Sequence, residues 1–287
     1  MLNEKEIRYG FDYYHRDEPK SKWITELSEY DGESNITINC TQLSDKYKAK
    51  DKKRIVQEWI DFLNDNPCAF TELTFGTRVS QELFNAICSQ TQLKKLYIKW
   101  GSYPDISQIE NLTKLEYLHI GSGVSVLDIE PITKLENLVA LTIENFQEIN
   151  DYNSLAKIKK LESLSLEGDF ASSKKIHVNS LDFLADMKQL RFLSLLTVKL
   201  KSKDYSPVLE LINLEHLTLG SYKEVRLLYD KLIKLPKLKY GMLLEKPTLY
   251  TGIQSQENKS QFIGGDSKAS RASQRQSEKS NPQRGRK

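Results

Sequence analysis

The sequence predicts an α/β repeat solenoid: a curved parallel sheet on the concave side, with short helical or 3₁₀ segments on the convex side. Two observations predict it. The first is a hexad that recurs six times: Leu93-x-x-Leu96-x-Ile98, Leu115-x-x-Leu118-x-Ile120, Leu138-x-x-Leu141-x-Ile143, Leu161-x-x-Leu164-x-Leu166, Leu190-x-x-Leu193-x-Leu195 and Leu214-x-x-Leu217-x-Leu219. Degenerate copies flank these, Phe70-x-x-Leu73-x-Phe75 before and Leu238-x-x-Gly241-x-Leu243 after. The second is the regular spacing, since successive copies start 23, 22, 23, 23, 29, 24 and 24 residues apart.

A fixed period of this size around such a hexad is the signature of a leucine-rich-repeat solenoid. The fourth to sixth places of each hexad alternate with a period of two, which is strand geometry, and their apolar members point inward. Between hexads the spacing changes to steps of three, as in Ile106, Ile109 and Leu112, or Tyr205, Val208 and Leu211. That suits a short 3₁₀ or α turn laid along the core. Ordering one such unit costs more conformational entropy than its few apolar side chains return, so neighbouring units must fold together.

Residues 1–69 are expected to form an N-terminal cap. Ile36-Thr37-Ile38 alternates as a strand, and Tyr47 to Leu63 predicts an amphipathic helix ended by Asn66-Pro67. The solenoid with its C-terminal cap spans 70–250, where Lys246-Pro247 stops the last strand and Leu249-Tyr250 is placed over the open end. Residues 251–287, rich in Ser, Gln, Lys, Arg and Gly, predict a disordered basic tail.

The hexads and their period make the chain similar to the bacterial leucine-rich-repeat family with units of 22 to 24 residues, the class that includes internalins. The resemblance covers about 175 residues. It implies a binding function and no catalysis. One departure stands out. The family places Asn nine residues into the unit, and this chain has Gly101, Gly123, Phe146, Asp169, Val198 and Tyr222 there. The turns are expected to satisfy their backbone groups through water or glycines instead.

The formal net charge of +3 is close to balance, so it points to no strongly charged partner. Eight Lys/Arg and three Asp/Glu put +5 of it in residues 251–287. Cys40, Cys68 and Cys88 are odd in number and form no C-x-x-C pair, which argues against a disulfide framework or a zinc knuckle and for core or helix thiols in a reducing compartment. The first ten residues lack the apolar stretch of a secretory signal, and no run reaches the length of a membrane span. A cytoplasmic location is the expectation.

On a parallel sheet the third, fifth and seventh places of each hexad face the concave side. They predict two aromatic groups there: Tyr97, Trp100, Tyr117 and His119 toward the start of the array, and Phe192, His216 and Tyr240 toward its end. Aromatic side chains on an exposed sheet face suit a protein interface, because they give large contact area at low entropic cost. The 29-residue unit adds a loop with Phe170, Lys174 and Lys175, and insertions in repeat arrays often map to a binding face.

No nucleotide-binding or hydrolase motif occurs, and the four histidines are scattered. His119 and His216 lie four strands apart, roughly 19 Å at about 4.8 Å per strand, too far to share a metal. No cofactor or metal is expected. The function predicted is a non-enzymatic protein–protein interaction module that binds a macromolecular partner on the concave face, in an adaptor or immunity-type role. The alternative is a nucleic-acid- or polyanion-associated protein that uses the basic tail.

Overall fold

A computed structural model describes residues 1–12, 21–169, 172 and 174–251. Nine strands form one parallel sheet in sequence order: β1 (Lys22–Ile24), β2 (Asn35–Ile38), β3 (Glu72–Phe75), β4 (Lys95–Ile98), β5 (Tyr117–Ile120), β6 (Ala140–Glu144), β7 (Ser163–Glu167), β8 (Phe192–Leu196) and β9 (His216–Leu219). The register aligns the fourth place of every hexad, Leu73–Leu96–Leu118–Leu141–Leu164–Leu193–Leu217. All seven leucines are buried. A slip by one residue would turn this whole row to the opposite face, so burial of the row fixes the pairing.

The chain returns from strand to strand through five 3₁₀ turns, Ser107–Asn111, Glu130–Lys134, Asn153–Lys157, Asp182–Asp186 and Ser206–Glu210. Each buries the middle apolar residue of its three-step pattern: Ile109, Ile132, Leu155, Leu184 and Val208. Four of them begin in the same way. The carboxylates of Asp105, Asp128, Asp151 and Asp204 each accept the backbone N–H two residues on, at 2.8 Å. These bonds hold the Asp105 and Asp204 carboxyls below the usual range, since they favour the charged form. This second repeat signal lies outside the hexads. The architecture is that of a leucine-rich-repeat solenoid.

The turns after the strands do without an asparagine ladder, and side chains take its place where water or glycine was expected. The Tyr103 hydroxyl, fully buried, donates to the Gly121 carbonyl at 2.7 Å, and the Tyr250 hydroxyl to the Leu219 carbonyl at 2.6 Å. Thr197 Oγ1 accepts the Gly168 N–H at 2.7 Å. The eighth place of the unit takes the left-handed conformation at Ser122, Asn145 and Thr197 (φ 48°, 59° and 52°). Phe146 fills the ninth place as an apolar plug against Gly123, where a Cβ would come 2.1 Å from the ring.

At the start of the array, the helix predicted over 47–63 runs Ala49–Asp65 and buries Ile55, Trp59, Ile60 and Leu63. It starts two residues late because Lys48 is extended (ψ 155°). Trp59 Nε1 donates to the Thr25 carbonyl at 2.8 Å, tying this helix to the strand β1, which the sequence pattern did not predict. At the other end the last hexad is not a strand. It makes a single bridge, Tyr240 with His216, and then turns at Gly241 (φ 109°) into a helix, Met242–Glu245. An unpredicted helix, Lys223–Leu232, precedes it. The extra residues of the long unit are partly structural: Ile176–Val178 pairs in parallel with Val198–Leu200, burying Ile176 and Val178. Cys40 and Cys88 are buried core thiols, whereas Cys68 is exposed, against the expectation for it. Among the described residues no helix is long and apolar enough to cross a membrane. The tail predicted over 251–287 lies, apart from Thr251, outside the described residues.

Candidate protein-binding face

The concave face was expected to be open, and its centre is covered. The covering element is the first twelve residues of the chain, which do not join the cap at the end of the array. Asn3 starts a short helix, Glu4–Tyr9 (α1): its side chain accepts the Glu6 N–H and the Glu6 carboxylate accepts the Asn3 N–H, both at 2.9 Å. Two orphan donors of the first turn are thereby met, which lets so short a helix form. Gly10 ends it in a left-handed conformation (φ 90°), and the chain turns so that Phe11 and Asp12 reach the sheet.

Leu2, Ile7 and Phe11 bury their side chains against Val139 and Ala140, with Tyr117 and Tyr240 packed at the edges. The ring of Phe11 lies 5.7 Å from that of Tyr117. Around this apolar centre the contacts are polar and directional. The Leu2 N–H donates to the Glu162 carboxylate and the Leu2 carbonyl accepts from the Arg191 guanidinium, both at 3.1 Å. Arg191 also donates to Glu162 at 3.1 Å and to Glu215 at 2.8 Å, and Lys239 donates to Glu215 at 2.9 Å. Burial alone would weaken the Arg191 charge, but the two carboxylates outweigh it and raise its pKa. Tyr240 Oη donates to Glu4 at 2.9 Å, and the Arg8 guanidinium sits 5.5 Å from the Tyr240 ring.

Within each predicted aromatic group one pair stacks across adjacent strands. Tyr97 stacks on His119 with ring centroids 4.1 Å apart, and Phe192 on His216 at 4.2 Å. His119, Phe192 and His216 are buried at 7–8% exposure and not exposed as expected, because residues 1–12 lie over them. His119 Nδ1 meets an Asp12 carboxylate oxygen at 2.7 Å, and its Nε2 lies 3.8 Å from Glu144. Burial pushes the Asp12 carboxyl up, and the His119 bond and charge more than reverse this, leaving its pKa lowered. The Glu144 carboxyl is raised, mainly by burial. His216 Nε2 shares a hydrogen with Thr218 Oγ1 at 2.9 Å, and the backbone of Ile7 and Arg8 lies beside the ring. Burial lowers the His216 pKa to about 4. Tyr97 and Tyr117 are each pushed up to about 12, chiefly by burial.

Tyr97, Tyr117 and Tyr240 are half-buried and Trp100 keeps partial exposure beneath the Arg78 guanidinium, 5.8 Å from its ring. Of the loop residues, Lys174 and Lys175 are exposed, with Lys175 Nζ 5.0 Å from the Tyr222 ring; Phe170 lies outside the described residues. Sequence reasoning missed Trp23 on the edge strand β1, 71% exposed on the concave row through its pairing with Thr37. It also missed Glu162, Arg191 and Glu215. These occupy the second place of their hexads, where the row reads Lys94, Glu116, Val139, Glu162, Arg191, Glu215 and Lys239, and the alternation of charge in its later half was the available signal. No group of three or more His, Cys, Asp or Glu able to hold a metal occurs among the described residues. A surface depression of about 540 Å³ lies away from this face, between Ala49–Asp65 and the helix Gln81–Ile87.

No family model matches the chain, and no curated protein does. Several solved structures share the repeat. Internalin C2 from Listeria monocytogenes is 20% identical over 56% of this chain and 78% of its own, with a TM-score of 0.38. An internalin, InlF, from the same organism is 18% identical over 61% and 68%, with a TM-score of 0.35. A leucine-rich-repeat protein of Leptospira interrogans is 18% identical over 60% of this chain and 46% of its own, with a TM-score of 0.36. At this level of likeness they bear on no partner.

Proposed function

We propose that this chain is a non-enzymatic protein-binding module, of adaptor or immunity type, whose contact surface is the concave face of the solenoid. The observation that carries the reading is the seating of residues 1–12. The face holds a polypeptide segment by a bracketed backbone unit at Leu2, an apolar floor at Val139 and Ala140, and a carboxylate contact at His119. A surface with these three kinds of contact suits another protein chain. Tyr97, Trp100 and Tyr117 form its accessible rim, with Trp23 at the edge; His119, Phe192, His216 and Tyr240 belong to the part under the segment, and Lys174 and Lys175 flank the face.

A photo-crosslinking residue at Tyr97 or Trp23 of the full chain tests this in the native cell. Crosslinks to one defined protein from these positions, and none from Leu227 on the helix Lys223–Leu232, are the expected result. Equal yield from Leu227 would remove the concave face as the contact surface. Changing the basic residues of 251–287 to Gln leaves capture intact on this reading; loss of all capture would favour the tail and a polyanionic partner instead.

A further inference from the structure

Residues 1–12 sit on the solenoid as a ligand sits on a receptor. The large core cluster, from Ile24 on β1 to Tyr250 at the far end, contains none of them. Leu2, Ile7 and Phe11 form a separate small cluster with Val139 and Ala140 as its other buried members among the described residues. The fifth-place row of the sheet reads His119, Thr142, Ser165, Ser194 and Thr218, and the third-place row beside it sets Ser163 and His216 among Ala140 and Phe192. A face built as permanent core would carry apolar side chains at these places, as the opposite face of the same strands does. The polar contacts are also of a kind that reads a ligand. Glu162 and Arg191 bracket the N–H and C=O of one backbone residue, and His119 takes a carboxylate. The covalent connection to β1 runs through residues 13–20, outside these contacts.

We propose that the concave face is a peptide-recognition groove, and that residues 1–12 occupy it as a built-in competitor. The ligand class follows from the occupant: a short helix-forming segment with apolar side chains spaced as in Leu2, Ile7 and Phe11 and an acidic residue directly after the last. The bracketing pair sets the start of such a ligand and His119 its end. The left-handed Gly10 between α1 and Phe11 is part of the pattern, because the turn it makes carries the last two contacts onto the sheet.

This inference rests on the concave face being the contact surface, and its test is separate from the crosslinking above. A protease site is inserted within residues 13–20 of the full chain and cut after folding, which leaves both parts in their native sequence. The first segment is expected to leave on dilution, with the melting temperature of the rest of the chain lowered by a few degrees at most. A fluorescent peptide of residues 1–12 then binds the vacated face, and the same peptide carrying Phe11→Ala or Asp12→Asn binds at least tenfold more weakly. Unfolding of the solenoid as the segment leaves would make residues 1–12 a structural part and overturn the proposal. Equal binding of all three peptides would overturn the ligand class. Either failure leaves a crosslink from Tyr97 or Trp23 standing, so the two readings are judged apart.

Discussion

His119 Nδ1 lies 2.7 Å from an Asp12 carboxylate oxygen, across 107 residues of sequence. The contact fastens the last described residue of the covering segment to the fifth place of a hexad in the middle of the sheet. Its counterpart at the other end of the segment is the bracket on Leu2, so α1 is held at both ends.

Asp12→Asn keeps the size of the side chain and removes its charge. A hydrogen bond to a charged carboxylate contributes about 1.5 kcal/mol or more, equivalent to about tenfold in an opening equilibrium. The amides of Ile7 and Gly10, which donate to Asn3 and Glu6 inside the segment, should exchange about tenfold faster with solvent deuterium. The Leu164 amide in the sheet should be unchanged. An equal rise at Leu164 would mean that the segment and the solenoid open together.

The buried His216 makes stability depend on acid. Its folded pKa, about 4, is below the ordinary 6.5, so the fold favours the neutral ring. The unfolded chain then binds more protons than the folded one between these values, and the contribution of the neutral ring is complete above about pH 6.5 and lost as pH falls toward about 4. His216→Phe, which cannot titrate, should flatten the slope of unfolding free energy against pH in that window. An unchanged slope in the variant would assign it to other groups.

At Gly123 a methyl group would come within 2.1 Å of the Phe146 ring. Gly123→Ala should therefore cost about 1–3 kcal/mol in chemical denaturation. Phe146→Leu, a smaller plug, should recover part of that loss when the two changes are combined, whereas independent sites would simply add.

Arg191→Ala leaves the Glu162 and Glu215 carboxylates, which flank it on the two neighbouring strands, without their shared cation. A loss of about 1–3 kcal/mol is expected at pH 7. The Glu215 carboxyl is raised by burial but more strongly lowered by Lys239 and Arg191, so its contribution is present above about pH 4.5 and fades as pH falls through the lowered value. The deficit of the variant should shrink in the same acid range. A deficit constant from pH 7 to pH 3 would make the role of Arg191 one of packing.

The repeat was legible because its signal is both local and redundant: each leucine at the fourth place has six others in register with it. The helix over Ala49–Asp65 was legible because Ile55, Trp59, Ile60 and Leu63 trace one helical face. The covering segment was not. A helix of six residues is too short to show a period, and Leu2, Ile7 and Phe11 look unremarkable until their partners, more than a hundred residues away, are known. The same reason hid the state of His119, Phe192 and His216. Their places on the sheet followed from the hexads, and their burial followed from a tertiary contact that no hexad encodes. Charges at the second place were passed over because the alternation rule assigns faces only within the strand, and these residues sit just before it. The aspartates at 105, 128, 151 and 204, in contrast, carried a local signal as regular as the hexads themselves.

Nine residues, 13–21, separate Asp12 from Lys22 at the edge of the sheet. A short flexible tether presents a segment to its site at an effective concentration on the order of millimolar. A free peptide of equal intrinsic affinity, present at about one micromolar, would displace it from only about one molecule in a thousand. To take half the molecules it needs an advantage of about a thousandfold, or about 4 kcal/mol. If residues 1–12 compete as proposed, such a tether sets a threshold: abundant segments of ordinary affinity are turned away, and only an unusually tight binder gains the face.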